Sequence, residues 1–427
     1  MIKNLSIAVS VFLIILLSGL VYFQSKPTPV NTPKVSTGQL PAVTKIYPEN
    51  IQANGGNFYQ GKLYKTGKIN IVVLEGSYEE MGRQYGALLK DELNANYQGI
   101  MEGLKKLTGI TAKDLQKEGN EIYATYPEKY KKIVNGLAIT SGLGLEKARF
   151  LLAQEGYVFA GLLSIAKDVN ISGSTQCSGI AAWGAYTSDG SMLFGRNYDL
   201  GPVNHEHMTL TVYNPSDGSI PTANFTYTGS IYITSGMNRE GLMLELNNGS
   251  ASDNSDFSNI RQFALISLFA GLEQSRNNEE LTTYLNTTLP DLSYIINAAD
   301  KESAYSFEWS TSKVRRREPD KNGLMVATNI FFDPAWGKQK YNVSNDMDFI
   351  VKRRDNLIAL ADKYKGNITP AKMMEIMATP LEEGGSFRAP NFTSYQYVAQ
   401  PSTLKMWLRV PEYQDWTEVN LALFFNK

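Results

Sequence analysis

Cys177 is the only cysteine in the 427-residue chain, and a hairpin pattern begins at it: SGIAAWGAY, the turn TSDG, then SMLFGRN. One cysteine cannot close an internal disulfide, so its thiol is a tolerated buried group, an intermolecular link or a reactive nucleophile. Few bases are available to it. The two histidines, His205 and His207, both fall in the loop-like stretch GPVNHEHM, and any Ser-His-Asp or Cys-His arrangement has to use one of them. A three-histidine metal site is excluded within one chain. An H-x-H pair on a strand would turn both rings one way, but no third strong ligand lies nearby. The plainer reading of this pair is two surface or pocket-rim histidines.

A cysteine at the head of a strand has a route that needs no histidine. If the peptide bond before it is cut, the freed α-amine can act as the base for the thiol. Reference values of about 7.7–8.0 for an α-amine and about 8.5 for a thiol make that proton exchange nearly balanced at neutral pH. A neighbouring cation favours the thiolate further. Such a site also requires a group to fix the amine and donors to hold the oxyanion formed when the thiol attacks an amide carbonyl.

The elements that must hold these groups change character at the cysteine. Before it, INIVVLEG from Ile69 reads as a strand. Ser77 with Glu80 three residues on is a capping box that opens a helix carrying Met81, Tyr85, Leu89, Leu93 and Ile100 at helical spacing. Further helices are predicted over Glu128 to Thr140 and Leu145 to Ala166, so this segment reads as mainly helical. After it, strands are predicted at Met208 to Tyr213, Asn224 to Thr228, Leu242 to Leu246, Tyr305 to Trp309 and Leu324 to Ala327, with a last pair at Leu404 to Val410 and Val419 to Phe425. Helices intervene at about Asn259 to Glu273, Glu279 to Asn286, Asp348 to Lys363 and Ala371 to Ala378. Antiparallel hairpins with interspersed helices point to a layered α+β domain rather than to βαβ units. There is no internal repeat and no dinucleotide fingerprint.

At the start of the chain a lysine precedes an apolar run from Ile7 to Phe23, the layout of a secretory signal or an N-terminal anchor. Without an A-x-A site after it, the reading leans to an uncleaved signal-anchor, with the body on the extracytoplasmic face, or secreted if the signal is removed. Residues 24–44, rich in proline and threonine, follow as an extended linker. The domain reading is therefore 1–23 signal or anchor, 24–44 linker, 45–176 helical N-terminal segment and 177–427 catalytic domain. With 41 basic and 42 acidic residues the net charge is -1, so no whole-protein field draws in nucleic acid.

The stretch CSGIAAWGAYTSDGSMLFGRNYD, Cys177 to Asp199, resembles the start of the mature choloylglycine hydrolases and of the penicillin acyltransferases. Both belong to the linear-amide, N-terminal-nucleophile superfamily. The resemblance implies Cys177 as nucleophile, Arg196 beside the sulfur and Asp199 anchoring the α-amine. Farther along, GMNREGLMLELN resembles the segment whose closing asparagine supplies an oxyanion-hole amide, here Asn247. LMVATNIF resembles the piece that places another active-site asparagine, here Asn329. The last family position is an arginine on a following helix, for which Arg353 and Arg354 are both candidates. GSYEEMGRQYG, Gly76 to Gly86, and the closing TLKMWLRVPEYQDWTEVNLALFF are similar to the acyltransferase branch, also called isopenicillin-N acyltransferase or carcinine hydrolase-like. In one departure, the fungal acyltransferases carry glycine before the scissile bond and this chain carries Gln176.

The resemblance implies a four-layer αββα sandwich with Cys177 opening a central strand, and self-cleavage between Gln176 and Cys177 into two associated chains. It also implies turnover of a small N-acyl amide or acyl donor without metal or organic cofactor. A phospholipase B-like or ceramidase-like lipid hydrolase, and a non-catalytic exported binding protein on the same scaffold, are the alternatives. The substrate pocket is expected in the loops after Asp199, around His205, and at Phe225 to Ile233 and Phe331 to Trp336.

Overall fold

The short apolar runs after Cys177 assemble into one face of each of two stacked sheets. The structure is a computed structural model and describes residues 44–45, 52–107, 109–158, 177–201, 204–249, 262–336, 347–388 and 392–426. Four strands precede the cysteine: β1 (Thr44–Lys45), β2 (Gln52–Phe58), β3 (Gly61–Thr66) and β4 (Ile69–Gly76). Those after it are β5 (Ser178–Ala182), β6 (Leu193–Tyr198), β7 (Met208–Pro215), β8 (Thr222–Tyr227), β9 (Ser235–Asn238), β10 (Met243–Asn248), β11 (Tyr294–Ala299), β12 (Ala304–Trp309), β13 (Val314–Arg317), β14 (Leu324–Ala327), β15 (Tyr395–Gln400), β16 (Lys405–Val410) and β17 (Gln414–Asn420). The seven-stranded sheet has the order β1-β17-β16-β15-β6-β5-β14, and the ten-stranded sheet β13-β12-β11-β10-β9-β8-β7-β4-β3-β2.

Strand alternation sorts side chains between the layers. On β6 the guanidinium of Arg196 reaches Glu245 on β10 of the facing sheet, while a Cβ on the preceding Gly195 would meet Met373 and Met377 of an outer helix. Ile180, Leu193, Val326 and Val398 pack with Leu357, Met373 and Met377 on that outer side. The helices are α1 (Tyr78–Leu88), α2 (Lys90–Leu104), α3 (Ala112–Thr125), α4 (Glu128–Ser141), α5 (Gly144–Leu151), α6 (Ala264–Gln274), α7 (Asn278–Thr287), α8 (Met347–Lys363) and α9 (Pro370–Ala378). α8 and α9 cover the seven-stranded sheet, and α1, α6 and α7 lie against the ten-stranded one. The result is the α+β four-layer αββα sandwich.

Ser77 and Glu80 form the reciprocal capping box that starts α1. The long helix expected from Ser77 to Ile100 is two helices, because Leu89 leaves helical geometry (φ -109°, ψ 24°) while remaining buried. α1 and α4 approach with backbones nearly touching, since Cβ atoms on Gly82 or Gly86 would run into the Ile133 and Leu137 backbone. The stretch before Cys177 is less exclusively helical than its periodicity indicates. β4 pairs in parallel with β7 from Asn70↔Thr209 to Gly76↔Pro215, and β3 and β2 extend the sheet beyond it. β2, with sequence QANGGNF, has no apolar alternation to announce it because it is an edge strand. The last strand is Gln414–Asn420 rather than 419–425; Leu421–Leu423 turns off as a short 3-10 segment.

A second tie joins the N-terminal helices to the later chain. Glu273 of α6, buried, accepts hydrogen bonds from Lys129 Nζ (2.6 Å), Tyr130 OH (2.6 Å) and Tyr78 OH (2.9 Å). Every donor in that cluster comes from residues before Cys177. The apolar run 7–23 and Gln176 lie outside the described residues, and among these no helix is long and apolar enough to cross a membrane.

Candidate active site

The antiparallel register of β5 and β6, Ser178↔Asn197 and Gly179↔Arg196, brings Cys177, just ahead of β5, to the end of β6 where Tyr198 and Asp199 stand. Cys177 is buried, and the Arg196 guanidinium and the Asp199 backbone N–H both favour the ionised form of its thiol. Burial pushes the thiol up and Arg196 pulls it back, with the first effect larger, so the resting sulfur is a neutral thiol.

Arg196 is held from every side. It donates to the Thr234 and Leu246 carbonyls and to Ser235 Oγ, and its Nε lies 3.0 Å from Glu245 Oε2. The guanidinium carbon sits 4.7 Å from the centre of the Tyr198 ring, which stacks on Tyr395 at 4.7 Å. Glu245 is fully buried; burial raises its carboxyl, and Arg196, Asn297 and Asn247 act against that rise. Its approach depends on Gly179, where a Cβ would overlap the Glu245 carboxylate. The glycine two residues after the cysteine is therefore what allows the two sheets to close on the arginine.

Asp199 presents the other side of Cys177. Its Oδ1 accepts from Thr393 Oγ1 at 2.7 Å, Arg353 Nη1 stands 3.9 Å from Oδ2, and Oδ2 accepts no hydrogen bond among the described residues. Burial raises the carboxyl, and Arg353 and Arg388 lower it. This unfilled acceptor, beside the first residue of a strand, has room in its valence for one more donor.

The two asparagines close the site. Asn247, on β10, donates to the Thr328 carbonyl at 3.3 Å and to Glu245 Oε1 at 3.4 Å, both long bonds that a stronger acceptor can displace. Asn329, just past β14, donates to the Asn248 carbonyl at 3.0 Å and accepts from Arg353 Nη2 at 3.0 Å. Arg353 also donates to the Cys177 carbonyl at 2.9 Å and is fully buried. Of the two candidate arginines, it is Arg353 that joins the site. Arg354 turns away to Asp320 and Asp355 and lies over Phe332. The helical spacing Ile350, Arg353, Leu357, Ala361, all buried, is the signal that separates them.

Cys177, Arg196, Asp199, Asn247, Asn329 and Arg353 thus converge. Sequence reasoning missed Glu245, Gly179, Thr393 and Glu155. Glu155, from the residues before the cysteine, accepts from Tyr198 OH at 2.8 Å. The histidines do not join them: they occupy a short 3-10 turn, His205 against Tyr413 and His207 beside Glu206. No group of three metal-ligating residues occurs among the described residues. The expected pocket wall at Phe225 to Ile233 is instead core, since Phe225, Tyr227, Ile231, Tyr232 and Ile233 are all at most 1% exposed. Phe331 packs on Ile295 and Ala327, and the following turn is tied by Glu308, which accepts from the Asp333 N–H and Trp336 Nε1. An open groove of about 600 Å³ lies on the N-terminal helices instead, lined among others by Tyr97, Met101, Gln116 and Phe150.

A family profile described as acyl-coenzyme A:6-aminopenicillanic acid acyl-transferase matches residues 186–400. The chain is 27% identical to protein dcd1B of Dictyostelium discoideum over 37% of its own length and 34% of that protein. It is 26% identical to a protein of Archaeoglobus fulgidus over 43% and 33% of the two chains. It therefore spans about a third of the length of the curated relatives it matches. Among solved structures, a mutant of the conjugated bile acid hydrolase from Clostridium perfringens is similar with a TM-score of 0.42 at 14% identity, covering 58% of this chain and 93% of that one.

Proposed function

Since the chain belongs to the acyl-coenzyme A:6-aminopenicillanic acid acyl-transferase family, we propose that it is a self-processing cysteine amide hydrolase or acyltransferase acting at linear C–N amide bonds. The observation that carries this reading is the setting of its sole cysteine. Cys177 heads a strand beside a buried Arg196, whose Nη atoms donate to Thr234, Ser235 and Leu246, and an Asp199 whose Oδ2 lacks a donor among the described residues.

In the precursor the thiol attacks the Gln176 carbonyl, the Cys177 nitrogen leaves, and water resolves the resulting thioester. The freed α-amine is then a donor for Asp199 Oδ2, while Arg353 holds the Cys177 carbonyl. A thiol kept neutral by burial needs a base at the moment of attack, and the α-amine takes its proton. As the sulfur bonds to the substrate carbonyl carbon, the Asn247 amide donates to the oxyanion in place of its long bonds to Thr328 and Glu245. The α-ammonium protonates the leaving amine, and water or another amine takes the acyl group from sulfur. The apolar run 7–23 supports export of this enzyme with the sandwich on the extracytoplasmic side.

Denaturing electrophoresis with intact-mass analysis, and turnover of small N-acyl amides, test the reading on wild type and Cys177→Ala. Two pieces with a Cys177 terminus and amide turnover are expected from wild type, with one uncut chain and a loss of at least about 10³-fold in kcat/KM in the variant. A single chain in both, with no thiol-dependent amide turnover, would overturn it.

A further inference from the structure

The guanidinium of Arg196 has hydrogen-bond acceptors without any carboxylate. Its Nη atoms donate to the Thr234 and Leu246 carbonyls and to Ser235 Oγ, so Glu245, 3.0 Å from Nε, is there to supply charge. Both side chains are fully buried. Glu245 arrives from the facing sheet, held by Asn297 Nδ2 and, at 3.4 Å, by the amide of Asn247. Room for it is made at Gly179, on the strand that Cys177 heads, where a Cβ would overlap the carboxylate. Four groups that can carry negative charge act on Arg196: Tyr395, Glu245, Cys177 and Tyr397. Burial pushes Tyr395 up to about 12 and Tyr397 well above the ordinary phenol range, so both stay neutral. Glu245 and the sulfur therefore compete for one cation.

From this geometry we propose that Glu245 is a positioning residue of the reacting centre: by balancing Arg196 it withholds the arginine's charge from Cys177 and keeps the resting sulfur a thiol. Its use in turnover rests on the Cys177 reading above, while the competition itself does not. An Arg196 without a counter-charge would draw the thiol towards thiolate. A less acidic thiol gives the stronger nucleophile once its proton has gone, and a neutral sulfur resists oxidation while it waits. Burial raises Glu245 to about 7, against Arg196, Asn297 and Asn247, so it is ionised over the range in which the buried thiol titrates. The other charged groups around the pair, Asp199 with Arg353 and Arg388, and Glu155 beyond the Tyr198 ring, are the same in every variant compared.

Because the chain has one cysteine, isotope-labelled cysteine gives a single Cβ resonance whose pH titration reads Cys177 alone. Glu245→Gln keeps an acceptor for Asn297 and removes the charge, and it is expected to lower the midpoint of that titration by about one pH unit or more. Glu245→Asp keeps the charge and should hold the midpoint within about half a pH unit of wild type. In an Arg196→Gln background, Glu245→Gln should move it by less than about half a pH unit, because the effect runs through the arginine. A merely structural carboxylate would lower the thermal midpoint and leave the titration where it was. An unmoved titration in Glu245→Gln, an equal fall in Glu245→Asp, or an equal fall with and without Arg196 overturns the proposal. Should Glu245→Gln not fold, Glu245→Ser gives the same readout; failure of both to fold makes the residue a determinant of the fold and overturns the proposal as well. Intact mass reports the cleavage state of every sample. A neutral variant left uncut beside a cut wild type also counts against the proposal, since a more acidic thiol should still attack Gln176. A wild type that is never cut sinks the Cys177 reading alone, because the titrations then compare uncut chains throughout.

Discussion

Two carboxylates, Glu273 buried and Glu155 partly buried, span the boundary between the residues before Cys177 and those after it, and they are treated in opposite ways. Glu273 belongs to the later part and accepts three donors from the earlier one, with Lys129 lying over both the Tyr78 and Tyr130 rings at 4.9 Å. Glu155 belongs to the earlier part and accepts only Tyr198 from the later one. A carboxylate whose lone pairs are filled by fixed protein donors is a fastener. One left with a single neutral donor fastens little. Burial and the census of donors both distinguish the two: Glu273 is buried under three donors, and Glu155 is partly exposed with one.

The contrast can be broken by removing each group in a Cys177→Ala background, which the proposed cleavage cannot cut, so that unfolding is not mixed with dissociation. Glu273→Leu strands the Tyr78 and Tyr130 hydroxyls and is expected to cost about 3 kcal/mol by urea denaturation, whereas Glu155→Gln at pH 7 should not destabilise. Equal losses would erase the distinction. The next effect is on pH. Glu155 titrates near about 4.3 in an unfolded chain and about 7 when folded. Between those values the folded chain holds a proton that the unfolded chain has lost, so the contribution of Glu155 to stability falls as pH rises through that window and is level above it. Stability of Glu155→Gln relative to the Glu155 chain should thus rise by about 2 kcal/mol from pH 5 to pH 8. Glu245 titrates in both chains and cancels in the difference, whereas Glu118, held up in part by Glu155, moves down in the variant; parallel profiles would show Glu155 to be an ordinary solvated acid. The smallest effect is from single hydroxyls. Tyr130→Phe should cost about 1 kcal/mol, because Glu273 keeps Lys129 and Tyr78. Tyr198→Phe takes the sole donor from Glu155, so it should raise the pH at which Glu155 titrates, read by the same profiles.

What could be read from the residues alone was whatever is decided locally. The Ser77–Glu80 box, the Cys177–Asp199 hairpin and the helices 128–141 and 370–378 each follow from neighbours within a few positions. What could not be read was decided across layers. Glu245 is one acidic residue in an apolar strand until the facing sheet delivers Arg196, and Gly179 is an ordinary strand glycine until that carboxylate arrives over it. The aromatic stretch after Phe225 reads equally as pocket or core, since composition does not say which face meets another layer, and it is core. Glu155 carries no signal at all: an acid on a helical pattern normally belongs to the solvated face.

The parallel seam between β4 and β7 bears on how the molecule behaves in solution after a cut before Cys177. Seven residue pairs along that seam occupy the outer margin of β7, whose sequence MTLTVYNP is largely β-branched and apolar. Were the leading piece to leave, that margin would present a row of unsatisfied N–H and C=O groups, the template on which other chains add and precipitate. The leading piece is therefore a built-in guard against self-association, and were the chain cut there, the later piece would keep that guard only while the two stayed together.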